Sequence, residues 1–149
     1  MGEHLLKLER VKYAELNSRQ KENYNYAHVS AILANYGFTT MRLTDDWEGA
    51  DFIAQHISGE PFLKVQLKSR LWVDTKYKLK GIWMCFRATP GGSWYLYPHD
   101  AFLEFALREL GIGSTAGWEN AHDLATVSGA YSWPGVSAKL KQWLAAYAL

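Results

Sequence analysis

The sequence predicts a mixed α/β fold, and three observations carry that expectation. A helix-periodic stretch is followed by a β-hairpin, two more extended runs come after the hairpin, and two further helical stretches close the chain. Apolar spacing switches from three and four to two and back again, as alternating helix and strand require.

Taken in order, the first 16 residues, MGEHLLKLERVKYAEL, mix apolar and charged positions, as either a short helix or a packed arm would. Asn17 or Ser18 then offers an N-cap, and Asn17 with Gln20 three positions on has the form of a capping box. A helix is predicted from there to Tyr36, with Tyr26, Val29, Leu33 and Tyr36 on one stripe and Gly37 placed to end it. Glu22 lies four residues before Tyr26, so two readings stand open. Either its carboxylate is on the buried stripe and needs a partner or a metal, or it is an exposed acid favoured by the helix dipole.

Phe38 to Leu43 reads as a strand, and the acid-dense Thr44 to Gly49 as a loop. Asp51 to Ile57 and Phe62 to Lys68 are extended runs rich in Phe, Ile, Val and Leu, separated by the turn formers Ser58, Gly59, Glu60 and Pro61. A turn symmetric about Gly59 and Glu60 would set Asp51 opposite Lys68 and Ile53 opposite Gln66, so that Asp51, Gln66 and Lys68 share a face. A loop of odd length would put Asp51 on the other face. Leu63, Val65 and Leu67 make the alternate face apolar and suited to the core.

Lys76, Lys78 and Lys80 alternate after Arg70; these four are candidate contacts to a phosphate backbone, although a solvated loop or strand edge is the more usual reason for such spacing. Ile82 to Phe86 and Trp94 to Tyr97 read as strands joined through Pro90, Gly91 and Gly92. A helix is predicted from Pro98 to about Leu110, with Ala101, Phe102, Phe105 and Leu110 supplying apolar contacts and His99 and Asp100 read as first-turn capping. Gly111 to Gly135 reads as a loop anchored by Trp118 and Trp133. A last helix is predicted from about Val136 to Tyr147, with Leu140, Trp143, Leu144 and Tyr147 inward.

Composition narrows the class. With 149 residues, 48% hydrophobic and 21% charged, residues 1–149 are expected to form one folded domain. A net charge of +1 gives no bulk support for nucleic-acid binding, which would need a local basic strip. No signal-peptide start and no apolar run of roughly 18 residues is present, so a cytoplasmic protein with no membrane span is expected. The single Cys85, in an apolar run, reads as a small buried hydrophobe and rules out a multi-cysteine zinc site. His28, His56, His99 and His122 have no metal-ligand spacing, and there is no glycine-rich phosphate loop or Gly-x-Ser-x-Gly elbow.

A helix carrying Glu22, a strand entered through Gly49-Ala50-Asp51 and a strand ending in Gln66-Leu67-Lys68 together resemble the signature of the PD-(D/E)XK nuclease superfamily. The resemblance spans roughly Arg19 to Arg70. It implies a restriction-endonuclease-like αβββαβ core, a mixed central sheet flanked by helices. It further implies a metal-dependent DNA endonuclease of the homing, restriction or repair kind, using Mg²⁺ or Mn²⁺. On this resemblance Asp51, Gln66, Lys68 and Glu22 are the catalytic set, and the metal ligands are Asp51, Gln66, the carbonyl of Leu67, and Glu22. Two positions depart from the pattern: Ala50 replaces the usual Pro, and Gln66 the usual acid, as in some small homing endonucleases.

The chemistry agrees in kind. Phosphodiester hydrolysis calls for a hard cation on oxygen ligands to neutralise phosphate and activate water, and Lys68 could stabilise the charge that builds on the phosphate. An amide oxygen brings no negative charge, so Asp51 and Gln66 alone would hold a metal weakly and Glu22 would matter more than usual. Against this stands a plain cross-strand ion pair of Asp51 with Lys68. A duplex cutter needs two such sites, which makes a homo-oligomer the expectation. The competing functional readings are a catalytically degenerate DNA-binding or regulatory module on the same fold, and an interaction protein docking through Trp118 and Trp133.

Overall fold

Asn17 begins the first helix by a reciprocal pair of bonds. Its side-chain oxygen accepts the Gln20 N–H at 2.9 Å, and the Gln20 side chain accepts the Asn17 N–H at 2.9 Å. The computed structural model describes residues 6–89, 91–112 and 129–149. In it α1 (Ser18–Asn35) buries Val29 and Leu33 and half-buries Tyr26, while Tyr36, at the C-cap, is 50% exposed. The chain reverses at Gly37 with φ 82°, a left-handed conformation that glycine adopts freely. Before α1, residues 6–12 are exposed and irregular, ending in a 3₁₀ turn, Tyr13–Glu15.

Among the described residues seven strands follow in two sheets. The larger is built from β1 (Phe38–Trp47), β2 (Ala50–His56), β3 (Phe62–Leu67), β5 (Ile82–Arg87) and β6 (Trp94–Pro98), in spatial order β1-β2-β3-β5-β6. Every neighbouring pair is antiparallel except β3 with β5, which is parallel. The smaller sheet pairs β4 (Leu71–Asp74) with β7 (Ala130–Trp133). Helices α2 (His99–Glu109) and α3 (Ala138–Leu144) complete the order. The architecture is therefore a mixed α/β sheet flanked by helices. The parallel crossover from β3 to β5 runs through β4 and a 3₁₀ turn, Thr75–Tyr77, where an αβββαβ order has a helix, and α2 comes after β6. Leu71 and Val73 are both fully buried, a period of two that suits a strand and no helix.

Two apolar cores lie on opposite faces of the sheet. On one, Val29 and Leu33 of α1 meet Phe52, Ala54, Leu63, Val65 and Cys85. On the other, Ile82, Met84, Phe86 and Tyr97 meet Phe102, Leu103 and Ala106 of α2, Leu71 and Val73 of β4, and Leu140 and Leu144 of α3. Burial pushes the Cys85 thiol up, as expected of an inert core residue.

Several sequence expectations are corrected. The β2–β3 hairpin pairs Phe52 with Val65 and Gln55 with Phe62, two residues away from the register expected from a turn centred on Gly59 and Glu60. The turn is displaced by one residue: the His56 N–H bonds the Pro61 C=O at 3.1 Å and closes it over residues 57–60 instead of 58–61. A shift of two preserves the face, so the same register carried one step past its last pair would set Asp51 opposite Gln66 instead of Lys68. The strand expected to end at Leu43 continues as β1 to Trp47, its pairing with β2 slipping between Arg42 and Trp47. The loop reading of Lys76, Lys78 and Lys80 is the observed one, since they lie on the 3₁₀ turn and the turn after it. Residues 130–133, expected in a loop, form β7; Trp118 lies outside the described residues. The last helix is shorter than expected and tightens into a 3₁₀ turn, Ala145–Tyr147.

Candidate active site

Where the β2–β3 ladder ends, the strands part. The last paired residues are Phe52 and Val65, and two residues past Val65 the Leu67 N–H donates to Asp51 Oδ2 at 2.9 Å instead of to a backbone carbonyl. Lys68 N–H turns the other way, to the Cys85 C=O at 2.9 Å. Alternation along an extended strand therefore directs the Leu67 N–H and C=O toward the β2 side, into the opening. Asp51, Gln66 and Lys68 share that end of the sheet.

The carboxylate of Asp51 is partly covered although the residue as a whole is exposed. Its pKa is raised, chiefly because the walls of the opening strip water from it; the Leu67 N–H and the charges of Lys68 and Arg42 pull downward, while Glu22 adds to the rise. Lys68 is not its ion-pair partner: among the described residues no salt bridge joins the two. The Lys68 ammonium instead lies 5.0 Å from the Trp72 ring centre and 5.7 Å from that of Tyr77.

The approach to Asp51 is equally constrained. Lys64 Nζ meets Glu48 Oε2 at 2.6 Å and lies 5.5 Å from the Trp47 ring, fastening the turn between β1 and β2. Gly49 follows with φ 91°, and a Cβ built there would fall 2.6 Å from Cδ1 of Tyr77. The strand entry thus lies flat on the aromatic ring that also faces Lys68.

Two clefts meet over these residues. The first, of about 890 Å³, is lined by Asp51, Gln66, Leu67 and Lys68 together with Arg19, Lys21, Glu22 and Arg42. Four cations face two carboxylates, so the cleft favours an anion. The second, of about 570 Å³, shares Asp51, Gln66 and Lys68 and adds Lys76 and Lys80. Arg70 is exposed and, like Lys78, lines neither cleft.

Glu22 lines the first cleft without lying on the buried stripe. Its side chain is 62% exposed and sits 3.8 Å from Arg19, an (i, i+3) pair. The exposed reading of this residue is the observed one. Among the described residues, no group of three or more His, Cys, Asp or Glu is placed to hold a metal ion.

His99 and Asp100 do not cap their own helix. Buried His99 accepts the Asp74 N–H through Nε2 at 3.1 Å and lies 3.0 Å from Asp100 Oδ1 through Nδ1; Asp100 Oδ2 accepts the Leu79 N–H at 2.8 Å. The pair ties the lysine-bearing turn to α2. Burial lowers the His99 pKa, with Asp100 opposing. Sequence reasoning missed Arg42 and the Trp72–Tyr77 pair. For Arg42 the signal was present in the period of two from Thr40, but the aromatic support of Lys68 depends on a fold-back that no local pattern announces.

No family model and no curated protein matches this chain. A solved structure of a bacterial homing endonuclease is similar with a TM-score of 0.41 and 21% identity, over 59% of this chain and 70% of that one.

Proposed function

We propose that the strand-end site is a metal-dependent phosphodiesterase centre and that the protein is a DNA endonuclease. The observation that carries this reading is the parting of β2 and β3 with Asp51, Gln66 and Lys68 on one side of the gap, at the junction of two clefts that carry cations. The donors are hard oxygens: the Asp51 carboxylate, the Gln66 amide and the Leu67 carbonyl, with Glu22 on the cleft wall. That set fits Mg²⁺ or Mn²⁺ held weakly, one carboxylate and neutral oxygens leaving room for waters. When bound, such an ion supplies charge neutralisation and an activated water. Lys68, kept off Asp51 by its aromatic neighbours, is free to face the phosphate and stabilise its growing charge. Lys76 and Lys80 would take flanking phosphates along the second cleft. Cutting both strands of a duplex calls for two such sites, hence a homo-oligomer.

Among the described residues the first cleft carries only two carboxylates, Asp51 and Glu22, and this favours one alternative, a DNA-binding module whose metal site has lapsed. Cleavage of plasmid, single-stranded and four-way-junction DNA with Mg²⁺ or Mn²⁺ separates the readings. The endonuclease reading expects cutting that chelator abolishes, loss of activity in Asp51→Ala, and a fall of about 10²-fold or more in Lys68→Ala. DNA binding indifferent to chelator, with no cutting of any substrate, would support the lapsed module.

A further inference from the structure

We propose that Arg42 is a substrate-contacting residue of this site and clamps a non-bridging oxygen of the phosphate that reaches Asp51. The inference rests on the phosphodiesterase reading above and adds a residue that neither the motif nor its spacing assigns.

The position of Arg42 comes from the sheet. It pairs with Phe52, and the β1–β2 ladder loses its register immediately beyond it. Arg42 is thus the last regular residue before β1 pulls away, at the lip of the cleft that holds Asp51. Its side chain is on the α1 side, as is that of Thr40 two residues earlier, whose hydroxyl lies 3.0 Å from the Tyr26 hydroxyl.

Its guanidinium is held by neutral groups. Nη1 donates to Asn23 Oδ1 at 2.5 Å, and Cζ lies 5.3 Å from the centre of the Tyr26 ring. Tyr26 is itself fixed by Thr40 and by an edge contact with Phe52 at 5.3 Å. Among the described residues no carboxylate forms a salt bridge with Arg42. An arginine carries five donors in a rigid fork; one bond to an amide oxygen leaves most of them for an anion.

The charge placement agrees. Arg42 lines the same cleft as Asp51, together with Lys68. A phosphate in this cleft would have the fork of Arg42 within reach, and Asp51 would hold the ion that neutralises it. Lysine does not substitute well for such a fork, because it offers a point charge without bidentate geometry.

The test compares wild type with Arg42→Ala, Arg42→Lys and Arg42→Gln, each checked for an unchanged melting temperature, in two assays. In cleavage with Mg²⁺, Arg42→Ala is expected to lose about 10²-fold in kcat/KM, with Arg42→Lys recovering little. In fluorescence anisotropy with a short labelled DNA duplex and chelator present, Arg42→Ala and Arg42→Gln should bind more weakly. Their salt dependence should fall by about one phosphate contact, a change of ~0.9 in the slope of log affinity against log salt. Wild-type cleavage rates in Arg42→Ala overturn the proposal. If wild type cuts nothing, the endonuclease reading fails on its own, and the binding assay still decides: an unchanged salt slope in Arg42→Ala, or no duplex binding by wild type, overturns the clamp.

Discussion

Replacing Gly49 by alanine tests whether the strand entry is built around the Tyr77 ring. The new Cβ would sit 2.6 Å from Cδ1 and 2.7 Å from Cε1 of Tyr77, where carbon contacts normally lie beyond 3.5 Å. Tyr77 is only 3% exposed and is bordered by the His99 ring, so it cannot swing clear. Relieving the overlap by shifting backbone or ring costs about 1–3 kcal/mol. Holding alanine at φ 91° costs about 1–2 kcal/mol more, so the sum is about 3 kcal/mol. For a chain of this length that is a fall of roughly 6–12 °C in Tm. Urea unfolding followed by far-UV circular dichroism measures the loss. Tyr77→Ala supplies the control: on that background Gly49→Ala should cost only about 1–2 kcal/mol, the backbone share. A single-mutant loss below about 1 kcal/mol, or strict additivity of the two changes, would refute the packing argument.

Three further outcomes are expected. Asp51→Asn should raise Tm while abolishing cleavage: the folded-state pKa of Asp51 is raised, so its contribution to stability is present below the unfolded value and lost as pH rises through the folded one, leaving an ionised carboxylate that costs stability at neutral pH; a Tm that falls by several degrees would contradict this. His99 has the opposite sign: its folded pKa is depressed, so its contribution is intact above about pH 6.5 and is lost as pH falls from there toward the folded value. Urea midpoints measured across that window should drop in wild type and drop less in His99→Gln. Leu33→Ala, at a position 1% exposed between α1 and the sheet, should cost about 2–5 kcal/mol by urea titration without removing any group from the clefts.

Much of the local structure was legible because local rules decided it. Asn17 and Gln20 form the capping box that their spacing announced, and Val29 and Leu33 are buried as their stripe requires. The shared face of Asp51, Gln66 and Lys68 emerged even though the register was off by two, because a shift of two preserves the pleat. What escaped was set by contacts distant in sequence. β4 is a short run whose partner, β7, lies far along the chain, and only that pairing makes it a strand. Glu22 could be placed on either side of a boundary because a helix of weak apolar contrast does not mark where its buried stripe stops; the structure leaves it exposed on the cleft wall. His99 and Asp100 looked like a cap because the N–H groups they accept, of Asp74 and Leu79, lie twenty-five and twenty-one residues upstream.

The pairing of β4 with β7 also bears on the order in which the site comes into being. β1, β2 and β3 are joined by tight turns, so their contacts close short loops and require little chain entropy to be lost at once. Asp74 pairs with Ala130, a closure across more than a third of the chain, and contacts of such separation form late. The half of the site that carries Asp51 and Gln66 is therefore assembled on the fast side of folding. The aromatic seat of Lys68, Trp72 on β4 and Tyr77 on the turn beyond it, waits for the distant strand to arrive. A nascent chain would hold its carboxylate in place before its lysine was seated.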